Sequence, residues 1–260
     1  MPLRTDPSLW WNLPGIVAAY QPVCAPESLS ARGNMRQGGT SAFRAEPGVL
    51  PAWKSTTGWT FNGSTQYLLT GLWPASDVSW SAVVRFASAP DETTGALMGA
   101  RQAFVISPGW WNKVRYFYDG SAEQSPRLAS GVLGIAARAG YRNGLADATW
   151  SAGGFWVDGE LAIGGQLVGG SMINLTSASI QAVAVYARVL TPAEMWSVSR
   201  QMRYCDVNPT WSVWASRRKW YPYVLEAPVA GRVGVYGARP TVALPGGVRI
   251  VPQSEGGTNG

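Results

Sequence analysis

Gly58-Trp59-Thr60-Phe61-Asn62-Gly63-Ser64-Thr65-Gln66-Tyr67-Leu68 reads as an aromatic-rich strand broken by an Asn-Gly turn signal. Its counterpart is Ala182-Val183-Ala184-Val185-Tyr186-Ala187-Arg188-Val189-Leu190-Thr191-Pro192-Ala193-Glu194, a buried strand that runs into a helix start. Thr191 supplies the capping hydroxyl, Pro192 fits the first helical position, and Glu194 completes a capping box. A β-rich chain with one helix near the end of its main body follows from this pair.

Working outward, Trp80-Ser81-Ala82-Val83-Val84-Arg85-Phe86 alternates. Trp80, Ala82, Val84 and Phe86 share one face, so the segment is expected as a half-buried antiparallel strand with Ser81, Val83 and Arg85 outward. Further strands are expected at 15–20, 96–100, 103–107, 113–118, 132–138 and 155–162. Asp119-Gly120, Asn143-Gly144 and Asp158-Gly159 read as tight hairpins, because both turn positions need positive φ and these pairs tolerate it. Residues 21–57 show no sustained alternation and read mostly as loop.

Composition agrees with this reading. Among 260 residues, 46% are hydrophobic, enough for a sizeable core, while 31 Gly and 18 Pro punctuate the chain as short strands and turns require. The net charge of +6 arises from 21 basic and 15 acidic side chains. Arg greatly outnumbers Lys, which suits planar contacts at interfaces and equally follows from a GC-rich genome. The Arg residues are scattered rather than gathered into a stripe, so nucleic-acid binding is not expected. No apolar run is long enough for a bilayer span, and the first residues lack a signal peptide's apolar core; synthesis in the cytoplasm and no membrane partner are expected. Cys24 and Cys205 lie near opposite ends of the body and pair as a disulfide or stay as free thiols.

The paired stretches, together with Tyr141-Arg142-Asn143-Gly144 as an aromatic-any-Asn-Gly hairpin, resemble the concanavalin A-like lectin/glucanase (laminin-G-like) family, in the form found in tailed-bacteriophage virion proteins. The resemblance implies an all-β, concanavalin A-like jelly-roll sandwich of two antiparallel sheets, closed by one short C-terminal helix. It divides the chain into an N-terminal arm at 1–14, the sandwich at 15–203 and an extended arm at 204–260. It also implies a virion location, with other virion proteins or further copies of the chain as partners.

The C-terminal arm carries Trp211, Trp214, Arg217, Arg218, Trp220, Tyr221 and Tyr223, aromatics interleaved with cations. Such a strip anchors in a partner's pockets, or folds back as a strap over its own sandwich; stacking on single-stranded nucleic acid is a third reading. A second candidate surface is Trp110, Trp111 and Asn112. Two adjacent Trp residues in one loop cannot easily both face a core, and an exposed indole stacks on a pyranose ring while Asn112 bonds its hydroxyls. A protein contact would use the same loop.

The chain has no His, which removes Ser-His and Cys-His arrangements and most catalytic zinc sites. Related glucanases use paired carboxylates on one strand; Asp158 and Glu160 have that spacing, but Asp158-Gly159 reads better as a turn. Asp91, Glu92 and Asp119 sit in turn-like contexts. The expectation is therefore a chain that is not an enzyme and needs no cofactor. Calcium on loop acids such as Asp77, Asp119, Asp147 and Asp158 is the exception the resemblance leaves open. The function expected is a structural virion protein, in capsid decoration, fibre or tail, assembling through its arms. The alternative is a glycan-binding module for host attachment.

Overall fold

A computed structural model describes residues 9–23, 25, 31–32, 46–75, 77, 79–89, 95–101, 104–154, 157, 159–207, 233–236 and 250–253. In chain order the strands are Ile16–Tyr20 (β1), Glu46–Val49 (β2), Ala52–Lys54 (β3), Gly58–Thr60 (β4), Tyr67–Leu69 (β5), Ser81–Ala87 (β6), Met98–Ala100 (β7), Phe104–Trp110 (β8) and Lys113–Tyr118 (β9). They continue with Ser121–Gln124 (β10), Gly131–Ala136 (β11), Ala139–Arg142 (β12), Leu145–Thr149 (β13), Ala162–Ile163 (β14), Gln166–Val168 (β15), Ser171–Ile173 (β16) and Ser179–Tyr186 (β17). The helix Pro192–Val207 follows. Chain contacts divide the protein into two units; the unit Pro7–Trp220 holds all of these elements. The other unit carries a parallel pair, Val233–Tyr236 (β18) beside Ile250–Gln253 (β19).

The larger unit is a jelly-roll sandwich of two antiparallel sheets. The first runs β13-β12-β11-β6-β17-β4-β3, with β1 also on β17; the second runs β10-β9-β8-β7-β14-β5-β2, with β15 in a short parallel contact on β7 and β16 paired to β15. The stretch that decides the fold is the corner between them. β4 belongs to the first sheet and β5 to the second, and the chain turns at Asn62-Gly63, with Gly63 at φ 71°. Asn62 Oδ1 accepts the backbone N–H groups of Ser64, Thr65 and Gln66 at 2.9–3.1 Å, so one short amide organises the whole crossing.

Between the sheets lies a core that includes Tyr20, Trp59, Phe86, Phe104, Tyr116 and Tyr118. A second core lies on the outer face of the first sheet, where Val83, Val132, Ala182 and Ala184 meet Met195, Val198 and Met202 from the helix. Trp10 closes it at 1% exposure, held by Gln201 Oε1 on its N–H and by the Tyr186 hydroxyl on its carbonyl. The residue that the sequence assigned to an arm is thus core. Each large side chain so covered contributes about 1.5–3 kcal/mol.

This second core corrects the reading of β6 as half-buried. Its expected outer face is dry: Ser81 Oγ donates to Arg188 O and accepts from Leu190 N, Val83 packs under the helix, and Arg85 Nη1 donates to Met202 O at 2.9 Å. β17 also serves both cores. A register shift between Ile180 and Ala182 moves the alternation by one, so Ile180, Val183 and Val185 face the inner core and Ala182, Ala184 and Tyr186 the outer one.

The capping box forms as read: Glu194 N donates to Thr191 Oγ1 at 3.3 Å, and Thr191 N donates to Glu194 Oε2 at 2.8 Å. Asn143-Gly144 forms its hairpin with φ 55° and 86°. Two expectations shift. Residues 21–57 contain β2 and β3, which are too short to show periodicity. Of the described residues in 155–162, Ala162 alone lies in a strand, while Phe155, Trp156 and Asp158 are outside the described residues.

Candidate functional site

The β8–β9 hairpin, in an edge region of the second sheet, carries an exposed Trp at its tip. β8 and β9 pair from Phe104↔Tyr118 to Trp110↔Lys113, leaving Trp111 and Asn112 as a two-residue loop. Both loop residues have positive φ, 48° and 63°. Such a loop favours Asn-Gly or Asp-Gly, as the Asn143-Gly144 hairpin of this same sheet sandwich illustrates. Trp in the first place is strained, at about 1–2 kcal/mol. Its indole is 64% exposed.

Behind the tip, Val114, Tyr116 and Tyr118 on β9 enter the core, while Lys113, Arg115 and Phe117 alternate with them; Lys113 is exposed, Arg115 half-buried and Phe117 buried. Trp110 is half-buried, and the Arg115 guanidinium lies 4.2 Å from its ring centroid and 5.3 Å from that of Phe117. On β10, Glu123 faces Arg115, with a carboxylate oxygen 3.6 Å from Lys113 Nζ and another 3.9 Å from Arg115 Nε. Burial lowers the guanidinium pKa from its ordinary value, and Glu123 offsets this only in part. The neighbouring segment braces the loop: Arg127 N donates to Asn112 O and Leu128 N to Pro108 O.

Of the residues singled out in the sequence, Trp110, Trp111 and Asn112 therefore sit together on one hairpin, with Trp111 exposed and Trp110 partly covered by Arg115. Trp211, Trp214, Arg217, Arg218, Trp220, Tyr221 and Tyr223 lie outside the described residues, as do Cys24 and the Cys205 side chain. Arg115 was missed, since a lone Arg on a strand reads as a solvated side chain. The signal that could have found it is its alternation with Lys113 and Phe117 behind the Trp pair.

The loop acids are engaged in structure. Asp77 Oδ1 accepts from Ser79 N, and the Ser79 side chain first, then its N–H, hold the carboxyl below the usual range. Asp119 pairs with Arg138 at 2.5 Å. Asp147 accepts from the Tyr116 hydroxyl at 2.9 Å and from Arg142 Nε at 3.2 Å; burial pushes the Tyr116 hydroxyl up, keeping it a donor. Glu160 accepts Gly71 N at 2.6 Å, while Asp158, Asp91 and Glu92 are outside the described residues. Among the described residues no three His, Cys, Asp or Glu side chains gather as a metal-ligand set, and no helix is long and apolar enough to cross a membrane.

No protein-family model and no curated protein matches the chain. Solved structures do. A mutant of Trypanosoma rangeli sialidase displaying trans-sialidase activity matches with TM-score 0.49 and 19% identity over 72% of this chain and 33% of that one. Trypanosoma rangeli sialidase in complex with sialic acid matches with TM-score 0.47 and 15% identity over 73% and 33%. The CBM40 of Ruminococcus gnavus IT-sialidase bound to alpha2,3 sialyllactose matches with TM-score 0.38 and 15% identity over 46% and 82%. The chain spans about a third of the length of the sialidases it matches. These structures are not virion proteins. Against the expectation that the chain is not an enzyme stands only that the matched structures include sialidases, whose activity is said of those proteins.

Proposed function

We propose that the chain binds glycans through the tip of the β8–β9 hairpin, as a lectin-like module. One observation carries this: a 64% exposed Trp occupies a loop position at φ 48° where Asn or Gly would relieve backbone strain. Strain that brings no packing is retained where the side chain itself is needed. An indole face offers stacking area to a pyranose, and Asn112 beside it offers amide donors and acceptors for ring hydroxyls. The test is tryptophan fluorescence of the full chain titrated with oligosaccharides from an array. Saturable quenching that Trp111→Ala removes supports the reading, and a silent array defeats it.

A second reading, a structural protein of a bacteriophage particle, is supported by the aromatic and basic strip from Trp211 to Tyr223 and by the parallel pair β18–β19. A two-stranded sheet is marginal alone and presents open edges to which another chain can add. In this reading the sandwich is the rigid body and residues 204–260 join it to virion proteins or to further copies. Light scattering of the full chain against a version ending at Arg203 separates the readings: tail-dependent assembly favours the second.

A further inference from the structure

We infer that the glycan taken by the β8–β9 hairpin is acidic, its carboxylate or sulfate group held by Arg115 with help from Lys113; this rests on the glycan-binding reading and deepens it. A guanidinium carries five N–H donors in a fixed plane. Elsewhere in the sandwich the guanidinium groups meet carboxylates at hydrogen-bond distance: Arg142 reaches Asp147 as well as Pro126 O and Gln124 O, Arg188 holds both carboxylate oxygens of Glu194, and Arg138 pairs with Asp119 although its own Nε is buried without a partner. Arg115 differs. Its Nε is buried without a hydrogen-bond partner, and the facing Glu123 oxygen is 3.9 Å from it, beyond hydrogen-bond reach.

That same carboxylate is shared with Lys113, so two cations face one anion on the outer face of β9 and β10. The stack between Trp110 and Phe117 fixes the guanidinium plane in advance, while 21% of the side chain stays open to solvent. A fixed, under-bonded guanidinium beside an exposed aromatic loop suits a planar or tetrahedral anion carried on a sugar. A neutral sugar would leave the surplus charge unused.

The experiment is binding of the full chain to an array holding neutral oligosaccharides and their uronic acid-, sialic acid- and sulfate-bearing counterparts, followed by calorimetry on the best neutral and anionic pair. The expected result is at least about tenfold tighter binding of the anionic partner, a preference that Arg115→Gln removes while binding of the neutral one persists. The carboxylate and sulfate arms identify the group. Equal affinity for neutral and anionic members overturns the inference and leaves the glycan-binding reading standing; no binding at all overturns both. Should R115Q fail to fold, Lys113→Gln on the exposed surface and a salt series on the unaltered chain replace it. A preference that withstands K113Q and a rise from about 50 to 500 mM salt overturns the inference as well.

Discussion

A Cβ placed on Gly140 would stand 2.4 Å from Cδ2 of Tyr116, so the two sheets meet at this point through a bare backbone and an aromatic ring. Gly140 is in β12 of the first sheet and Tyr116 in β9 of the second. The ring is held in place, because its hydroxyl donates to Asp147 and its plane stacks with that of Trp150, centroids 6.4 Å and planes 7° apart. Gly140→Ala should therefore destabilise the sandwich by about 1–3 kcal/mol, the usual cost of overpacking. The urea midpoint measures it. A loss below about 0.5 kcal/mol would mean that Tyr116 does yield.

Arg85 is the cation most committed to structure. It lies 2% exposed beneath the helix, and its Nη1 donates to Met202 O. Arg85→Ala leaves that carbonyl short of a donor and opens a void between β6 and the helix. A loss of about 3 kcal/mol is expected. Arg203→Ala, at an exposed position on the last turns of the same helix, should change stability by less than about 0.5 kcal/mol. Equal effects in the two denaturation curves would remove the structural role given to Arg85.

The sequence carried the fold where short-range chemistry decides it. The Thr191–Glu194 box and the Asn143-Gly144 turn each specify their geometry within a few residues, and both form. What escaped depends on long-range packing. A period of two in β6 identifies two faces, but nothing local says that the helix and Trp10 will cover the second one. Strands such as Ala162–Ile163 are too short to have a period. At the candidate site, adjacent Trp residues were legible, whereas the role of Arg115 needed the pairing of β9 with β8 and β10.

The helix cap gives a pH dependence. Hydrogen bonding from Arg188 holds the Glu194 carboxyl down at about 2 from an ordinary 4.5; burial opposes it, and hydrogen bonds from Thr191 add to the lowering. A depressed carboxylate stabilises the fold in full above its unfolded value, and that contribution is lost as pH falls through 4.5 towards 2. Because both partners are partly exposed, screening limits the contribution; Glu194→Gln should cost about 0.5–1 kcal/mol at pH 7. The difference between the two proteins should shrink steadily below pH 4.5. A gap that stays constant down to pH 2 would show that the carboxylate charge is not what the cap uses.

Trp111 offers the sharpest separation of stability from function. At φ 48° in a two-residue hairpin, its backbone is where Asn is comfortable and a bulky side chain is not. Trp111→Asn should raise unfolding stability by about 0.5–1 kcal/mol, since the exposed indole contributes little packing to offset the strain. The same change should abolish saccharide-induced quenching and raise the dissociation constant of any bound glycan by at least about tenfold. Paired denaturation and titration experiments read both effects from one variant. A stabilised protein with unchanged binding would leave the strained Trp without the role assigned to it, and a destabilised one would mean that the indole packs in a way its exposure does not suggest.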